Sequence, residues 1–107
     1  MVQRASLDTY VLDTLMADLV GHDRAPSAYL VYLKLWHLCG GPGKRARPLS
    51  LQTLATQTGV SKSSVQSAVR RLKRRGLIQA RRAAPTAVPV YTVLAPWMKR
   101  EARRDRL

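Results

Sequence analysis

The spacing of apolar residues predicts two helices in the first part of the chain. Between Ser6 and Val20, apolar side chains recur every three or four positions while the Asp residues fall elsewhere around the turn, as is typical of an amphipathic helix over 6–20. The segment Gly21 to Pro26 predicts the end of that helix, and Ser27 is a candidate N-cap for a second helix over 27–39. The second segment is apolar on nearly all sides, so we expect a core helix that is covered from more than one direction.

Capping signals predict two further helices. Ser50 is the expected N-cap of a short helix and Ser61 that of a longer one, each flanked by the pair of apolar residues that forms a hydrophobic staple. Gly59 lies between the two helices, and Gly76 is expected to end the second. Two capped helices joined by a glycine-containing turn indicate a helix-turn-helix over 51–75.

The remainder of the chain predicts a β-hairpin over 77–94, with strands at 77–82 and 88–94 joined by a turn around Pro85. A basic tail over 95–107 follows it. A chain of 107 residues is long enough for one domain, so we expect a single domain over 1–107. The expected fold class is mainly α with a small β-hairpin (α+β).

Charge indicates the kind of partner. The chain has 19 Lys and Arg residues against 6 Asp and Glu, a formal net charge of +13, and no carboxylate side chain lies between residues 24 and 100. Such a chain is expected to bind a polyanion. Hydrolysis by paired carboxylates and carboxylate-held magnesium would lack their usual groups there, so we expect no enzymatic activity and no catalytic residues.

The remaining reactive residue types predict no further chemistry. Cys39 is the single cysteine, so no internal disulfide can form, and a reducing cytoplasm is the expected location. His22, His37 and Cys39 have no metal-ligand spacing, so we expect no metal and no cofactor. No apolar run approaches the length that a membrane-spanning helix needs.

The segment GVSKSSVQSAVRRLKRRGLI, from Gly59 to Ile78, together with Leu54 and Ala55, resembles the winged helix-turn-helix of bacterial transcription regulators and of plasmid or phage replication proteins. The stretch from Val11 to Trp36 resembles the helical lead-in of the same domains. The resemblance implies a winged helix-turn-helix with an extra N-terminal helix, and a role in binding DNA.

The residues predict the same partner without the resemblance. The helix from Ser61 to Arg75 has an apolar face and, opposite it, small hydroxyls, an amide and arginines, a combination suited to base edges in a major groove. The expected base-reading residues are Ser63, Gln66, Ser67 and Arg70. The expected phosphate-binding residues are Gln52, Ser61, Lys62, Arg71, Arg74, Arg81 and Arg82.

We therefore expect sequence-specific binding of double-stranded DNA by a transcription regulator at the nucleoid. A replication or partition protein that uses the same module is the nearest alternative, and an RNA-binding basic protein or a protein-interaction module are others. The excess of apolar residues in the helices at 6–20 and 27–39 predicts a homodimer through these N-terminal helices. The sequence indicates no small-molecule effector.

Overall fold

The structure of the chain, a computed structural model, describes residues 2–44 and 48–99. Its elements are an N-terminal π-helix in two segments (Val11–Leu15 and Ala17–His22), helices α1 (Pro26–Cys39), α2 (Leu51–Thr58) and α3 (Lys62–Arg74), and strands β1 (Ile78–Arg81) and β2 (Val90–Val93). The two strands form one antiparallel hairpin after the helices. The α+β class predicted from the sequence is confirmed.

The N-terminal π-helix differs from the predicted amphipathic α-helix in type and in bounds. Its backbone follows the i→i+5 pattern, in which the Met16 N–H donates to the Val11 carbonyl. This wider turn suits the four-residue spacing of Val11, Leu15 and Leu19, which are all buried. The predicted bounds of 6–20 are wrong, since residues 6–8 are not helical and the helix continues through the expected breaker, Gly21.

Helix α1 begins one residue before the predicted start. Pro26 occupies the first turn and Ala25 is the N-cap without a side-chain capping bond, so the prediction that Ser27 caps this helix is wrong. Proline suits this position because its missing N–H would have no partner there. The helix ends at Gly40, which adopts the left-handed conformation with φ 73°.

The helix-turn-helix follows the capping signals of the sequence. Ser50 Oγ accepts from the Thr53 N–H at 3.0 Å, and Ser61 Oγ accepts from the Ser64 N–H at 3.2 Å. Gly59 closes α2 with φ 76°, and this left-handed residue allows the sharp turn into α3. The two helices occupy Leu51–Thr58 and Lys62–Arg74 within the predicted span of 51–75.

Helix α3 ends in a Schellman motif. The Gly76 N–H donates to the Lys73 carbonyl and the Leu77 N–H donates to the Leu72 carbonyl. Gly76 has φ 69°, as the predicted terminating glycine requires. Because the motif fixes the exit of the chain, Leu77 and Ile78 lead directly into the core and into β1.

The hairpin pairs Ile78 with Val93 and Arg81 with Val90. The strands are shorter than the predicted 77–82 and 88–94, because the connection from residue 82 to residue 89 is not paired as a sheet. Backbone hydrogen bonds from the segment between α1 and α2 support β2 and the residue before it. The Gly43 N–H donates to the Val93 carbonyl at 2.9 Å, and the Leu49 N–H donates to the Pro89 carbonyl at 3.1 Å.

Helix α1 lies at the centre of the core, in contact with the π-helix, α2, α3 and β2. Two buried tyrosines connect it to other elements. Tyr29 donates its hydroxyl proton to the Val11 carbonyl at 2.8 Å, and Tyr32 donates to the Leu94 carbonyl at 2.9 Å. Burial raises the pKa of both hydroxyls above the ordinary tyrosine value, so both remain neutral donors.

An aromatic cluster joins the two ends of the described chain. Trp97 lies in a helical turn at 96–99 and stacks on Tyr10, with ring centroids 4.3 Å apart. Its ring also lies parallel to that of Trp36, and its Nε1 donates to an Asp8 carboxylate oxygen at 3.0 Å. The predicted tail over 95–107 therefore begins as packed structure, and its part from residue 100 onward lies outside the described residues.

Candidate nucleic-acid interface

The packing of α3 decides which of its side chains face outward. Val65, Ala68, Val69 and Leu72 are buried against the core, so the helix cannot rotate without exposing them. The four expected base-reading residues, Ser63, Gln66, Ser67 and Arg70, are all exposed. The structure thus places them together on the outer side of α3.

The hydroxyls of Ser61 and Ser67 differ in how firmly they are hydrogen-bonded within the chain. Ser61 Oγ is engaged within the chain, since it accepts the capping bond and also donates to Ser64 Oγ at 2.8 Å. Ser67 Oγ accepts from Arg70 Nη2 at 3.4 Å, a long contact that a nucleic acid could readily replace. Two expected base-reading side chains therefore already lie side by side.

The expected phosphate-binding residues divide into exposed and engaged groups. Lys62 and Arg74 are exposed at opposite ends of α3, and Gln52 is exposed on α2, where its Nε2 donates to Thr56 Oγ1 at 3.3 Å. Arg71 is half-buried, with its Nη1 3.5 Å from Asp23 Oδ2. Part of the charge of Arg71 is therefore already balanced.

Carboxylates of the N-terminal segment neutralise one side of the basic run. Arg75 Nη2 lies 3.4 Å from Asp18 Oδ2, and Arg75 Nε lies 3.7 Å from Asp23 Oδ2. The Asp23 side chain is only 8% exposed, so its carboxylate is held in place beside Arg71 and Arg75. These ion pairs could not be predicted from the sequence, because Asp23 precedes Arg71 by 48 residues and Asp18 precedes Arg75 by 57.

The two wing arginines lie at one end of the hairpin. Arg81 is exposed at the end of β1, opposite Val90. Arg82 is also exposed, and its Nη1 donates to the carbonyl of Pro85 at 3.3 Å, within the turn. Both side chains border a shallow depression that Gln79 and Thr92 also line.

A groove of about 540 Å³ separates the start of α1 from the outer face of α3. Its polar lining includes Arg24, Ser27, Ser63, Ser67, Arg70 and Arg74. Neither Arg24 nor Ser27 was expected to bind a ligand, and both enter the site only because the chain turns back beside α3 after the π-helix.

The backbone of Arg24 has an uncommon conformation. Its φ is 52°, and it is the single non-glycine residue with positive φ among residues 2–44 and 48–99. The position directly follows the C-cap of the π-helix, where glycine is the usual residue, and a side chain there costs about 1–2 kcal/mol. The sequence carries no local signal for this position, because it offers Gly21 and not Arg24 as the end of the helix.

Within the described ranges, no three His, Cys, Asp or Glu side chains lie close enough together to hold a metal ion. A search of the same ranges finds no helix with the length and apolarity to span a membrane. Cys39 is buried, and its Sγ lies 3.7 Å from the Tyr91 carbonyl oxygen, which accounts for it as a core residue.

Helices α1 to α3 followed by the two-stranded hairpin define a winged helix-turn-helix domain, as the sequence predicted. A family model described as a helix-turn-helix domain matches residues 25–78, which is half of the chain and runs from the start of α1 to the first residue of β1. The chain belongs to this helix-turn-helix family, and its partner is DNA. Neither the curated proteins nor the solved structures gave a significant match.

Proposed function

We propose that this protein binds double-stranded DNA sequence-specifically and acts as a transcription regulator at the nucleoid in the cytoplasm, without catalysing a reaction. One observation carries the proposal. The outer face of α3 presents hydroxyl, amide and guanidinium groups side by side, in a part of the chain that has no carboxylate side chain. Such a face suits the mixed donors and acceptors of base edges better than phosphate alone.

In this proposal α3 enters the major groove with its buried side turned toward the core. Ser63 and Ser67 are small, so the helix axis can approach the base edges closely. Gln66 has the amide geometry that pairs with adenine, and Arg70 has the paired donors that recognise guanine. The helix therefore carries two groups that discriminate between bases and two that permit close contact.

Phosphate contacts orient the helix in the groove. Lys62 at the start of α3 and Arg74 near its end are exposed and can each approach a backbone strand. Arg81 and Arg82 of the wing supply a second region of contact, either over a phosphate or in the adjacent minor groove. Arg71 contributes less in this scheme, since Asp23 already balances part of its charge.

A second copy of the chain is the partner we propose for the N-terminal π-helix. Leu12, Met16 and Val20 are 48%, 41% and 39% exposed and lie one position after the buried row of the same helix. The aromatic residues of α1 are buried within a single chain, so they give no further reason for dimerisation. The π-helix also carries acidic residues of an otherwise basic chain, so repulsion between two copies is smallest there.

Selection of bound sites from random duplex DNA tests the function directly. The expected result is a defined sequence, and a palindromic one would also show that a dimer binds. Structured RNA added as a competitor should not displace the selected duplex at equal concentration. Recovery of unrelated sequences would contradict sequence-specific binding, and preferential displacement by RNA would contradict the DNA assignment of this site.

The genomic positions of the selected sequence separate the regulator from a replication or partition protein. Sites upstream of genes are expected for a regulator. Sites confined to a replication origin or partition locus would contradict that role while leaving sequence-specific DNA binding intact.

A further inference from the structure

The groove between the start of α1 and the outer face of α3 is lined in part by the expected base-reading residues Ser63, Ser67 and Arg70, and it continues past them to Arg24 and Ser27. Three of its four guanidinium groups, those of Arg24, Arg70 and Arg74, have no carboxylate partner among the described residues. The fourth, Arg71, is paired with Asp23. The groove therefore holds excess positive charge that nothing described within the chain balances.

Polar groups that can donate to an anion surround this charge. The hydroxyls of Ser27, Ser63 and Ser67 line the same groove from its two sides. The first turn of α1 has no side-chain cap, so the positive end of the α1 dipole adds to the field of the arginines. An oxygen-rich, negatively charged group is the ligand that this combination fits.

Arg24 is held at the edge of the groove by contacts on both sides of its own backbone. The Asp23 N–H donates to the Asp18 carbonyl at 2.8 Å, and the Ala25 N–H donates to the Leu19 carbonyl at 2.7 Å. The Asp23 carboxylate is fixed in turn by Arg71 and Arg75, and Pro26 restricts the chain that follows. The turn is rigid, so the guanidinium starts from a fixed point beside α3.

The conformation of Arg24 favours glycine, and the arginine side chain makes no hydrogen bond or ion pair within the described chain. The residue therefore lowers the stability of the turn, and its side chain forms no polar contact in the described part of the fold that would offset this strain. A strained residue that the surrounding contacts hold in place is a feature of binding sites.

We infer that this groove is a phosphate-binding site for the DNA backbone strand that flanks the major groove occupied by α3, with Arg24 and Ser27 as binding residues in addition to those of α3. The inference rests on the proposed insertion of α3. With α3 in the major groove, the start of α1 lies beside the helix where one bounding strand passes. A phosphate there contacts Arg24 from one side and Arg74 from the other.

The test compares Arg24→Gly with the unchanged full-length chain on the selected duplex and on random duplex DNA. Glycine adopts the observed backbone conformation without strain, so the thermal midpoint of Arg24→Gly should stay equal or rise. Removal of one charge-assisted phosphate bond should weaken binding to both duplexes by about tenfold. It should also reduce the slope of log affinity against log salt by roughly 1.

Two control variants separate a local contact from a general reduction of charge. Lys34→Gln removes the same charge from α1 at a site outside the groove and should change affinity much less than Arg24→Gly. Arg24→Lys keeps a charge without the guanidinium fork and should retain part of the affinity.

The outcomes distinguish failure of the phosphate site from failure of the proposed DNA-binding function. Equal affinity of Arg24→Gly and the unchanged chain, or equal losses in Arg24→Gly and Lys34→Gln, would overturn the phosphate site and leave the DNA assignment standing. Failure of the unchanged chain to bind any duplex would overturn the proposed function and this site together.

Discussion

We propose that some side chains of α3 recognise DNA bases and that others bind the phosphates of the DNA backbone. Gln66 and Arg70 carry paired hydrogen-bonding groups that match particular bases, whereas Lys62 and Arg74 present charge that any phosphate accepts. All four are exposed on one helix whose other side is fixed in the core. The two roles are therefore separable by single substitutions that leave the fold intact.

Gln66→Ala is expected to change base preference at one position of the selected site. Discrimination at that position should fall by about 1–3 kcal/mol, because alanine cannot form the bidentate amide bonds to the base. Arg74→Ala is the matched comparison and should weaken all duplexes alike while lowering the salt slope by roughly 1. Titrations on the selected site and its single-base variants, at fixed salt, measure the base preference, and repeats at several salt concentrations give the slope. Equal weakening on every sequence for Gln66→Ala would show that this residue does not read bases.

Tyr32 connects stability to pH at the same scale. Burial is the main cause that raises its pKa above the ordinary value of 10.0, and the charge of Asp8 adds to the shift. The folded state thus holds the proton more tightly than the unfolded state, so this contribution is fully present below pH 10 and is lost as pH rises above it. The free energy of unfolding should therefore fall with rising pH in that range.

Tyr32→Phe tests this assignment. The variant lacks the hydrogen bond to the Leu94 carbonyl and should be about 1 kcal/mol less stable at neutral pH. Above pH 10 its unfolding free energy should decline less steeply than that of the unchanged chain, with Tyr29 and Tyr91 still contributing. Denaturant titrations across this pH range make the comparison, and parallel curves for the two proteins would contradict it.

At the scale of elements, the hairpin has a structural end and an exposed end. Ile78, Tyr91 and Val93 are buried in the core, whereas Arg81, Arg82 and the connection over 83–86 are exposed. A two-stranded hairpin is marginal by itself, so its inner residues hold it in place. The outer arginines are then free to contact DNA, since within the described chain Arg82 donates only to the Pro85 carbonyl of the turn and neither arginine packs in the core.

Replacement of both Arg81 and Arg82 by Ala should leave the thermal midpoint nearly unchanged, because exposed charges contribute little to stability. Duplex affinity should fall together with the salt slope, which should decrease by about 1 for each phosphate that the wing no longer neutralises. Melting curves paired with binding titrations at several salt concentrations provide the measurement. Unchanged affinity in the double variant would mean that the wing only covers the core.

At the scale of the whole molecule, every carboxylate side chain of residues 2–44 and 48–99 lies in the π-helix or next to it, at Asp8, Asp13, Asp18 and Asp23. This asymmetry separates the proposed DNA-binding side from the side proposed to meet a second copy. Asp18 and Asp23 neutralise the end of α3 next to that helix, so the positive field is strongest toward the groove and the exposed face of α3. A duplex should therefore be attracted to that side, as long-range steering by net charge requires.

Substitution of Leu12 and Met16 together by Glu should convert the proposed dimer to a monomer without unfolding the chain, since these side chains are 48% and 41% exposed and lie outside the buried row. Val88→Glu is the matched control, because Val88 is similarly exposed but lies in the wing connection. Sedimentation of the three proteins measures their association. A monomeric unchanged chain would remove the proposed dimer and leave the DNA interface unaffected.

The sequence by itself determined the elements whose signals are local. Ser50, Ser61 and Gly76 act on backbone groups within a few residues, so they were sufficient to place α2, α3 and the exit into the hairpin. The periodicity of α3 also determined which face would be exposed, because burial of its apolar stripe leaves one orientation. The expected base-reading residues follow from that face.

Only the tertiary structure decided the features that depend on distant partners. The π-helix buries Val11, Leu15 and Leu19 against other elements of the core. Arg71 and Arg75 form ion pairs with Asp23 and Asp18. Trp97 stacks on Tyr10, near the other end of the described chain. The groove that includes Arg24 likewise exists only where two segments meet. Such contacts require closure of long loops in competition with many alternatives, and no spacing along the chain records which of them is favoured.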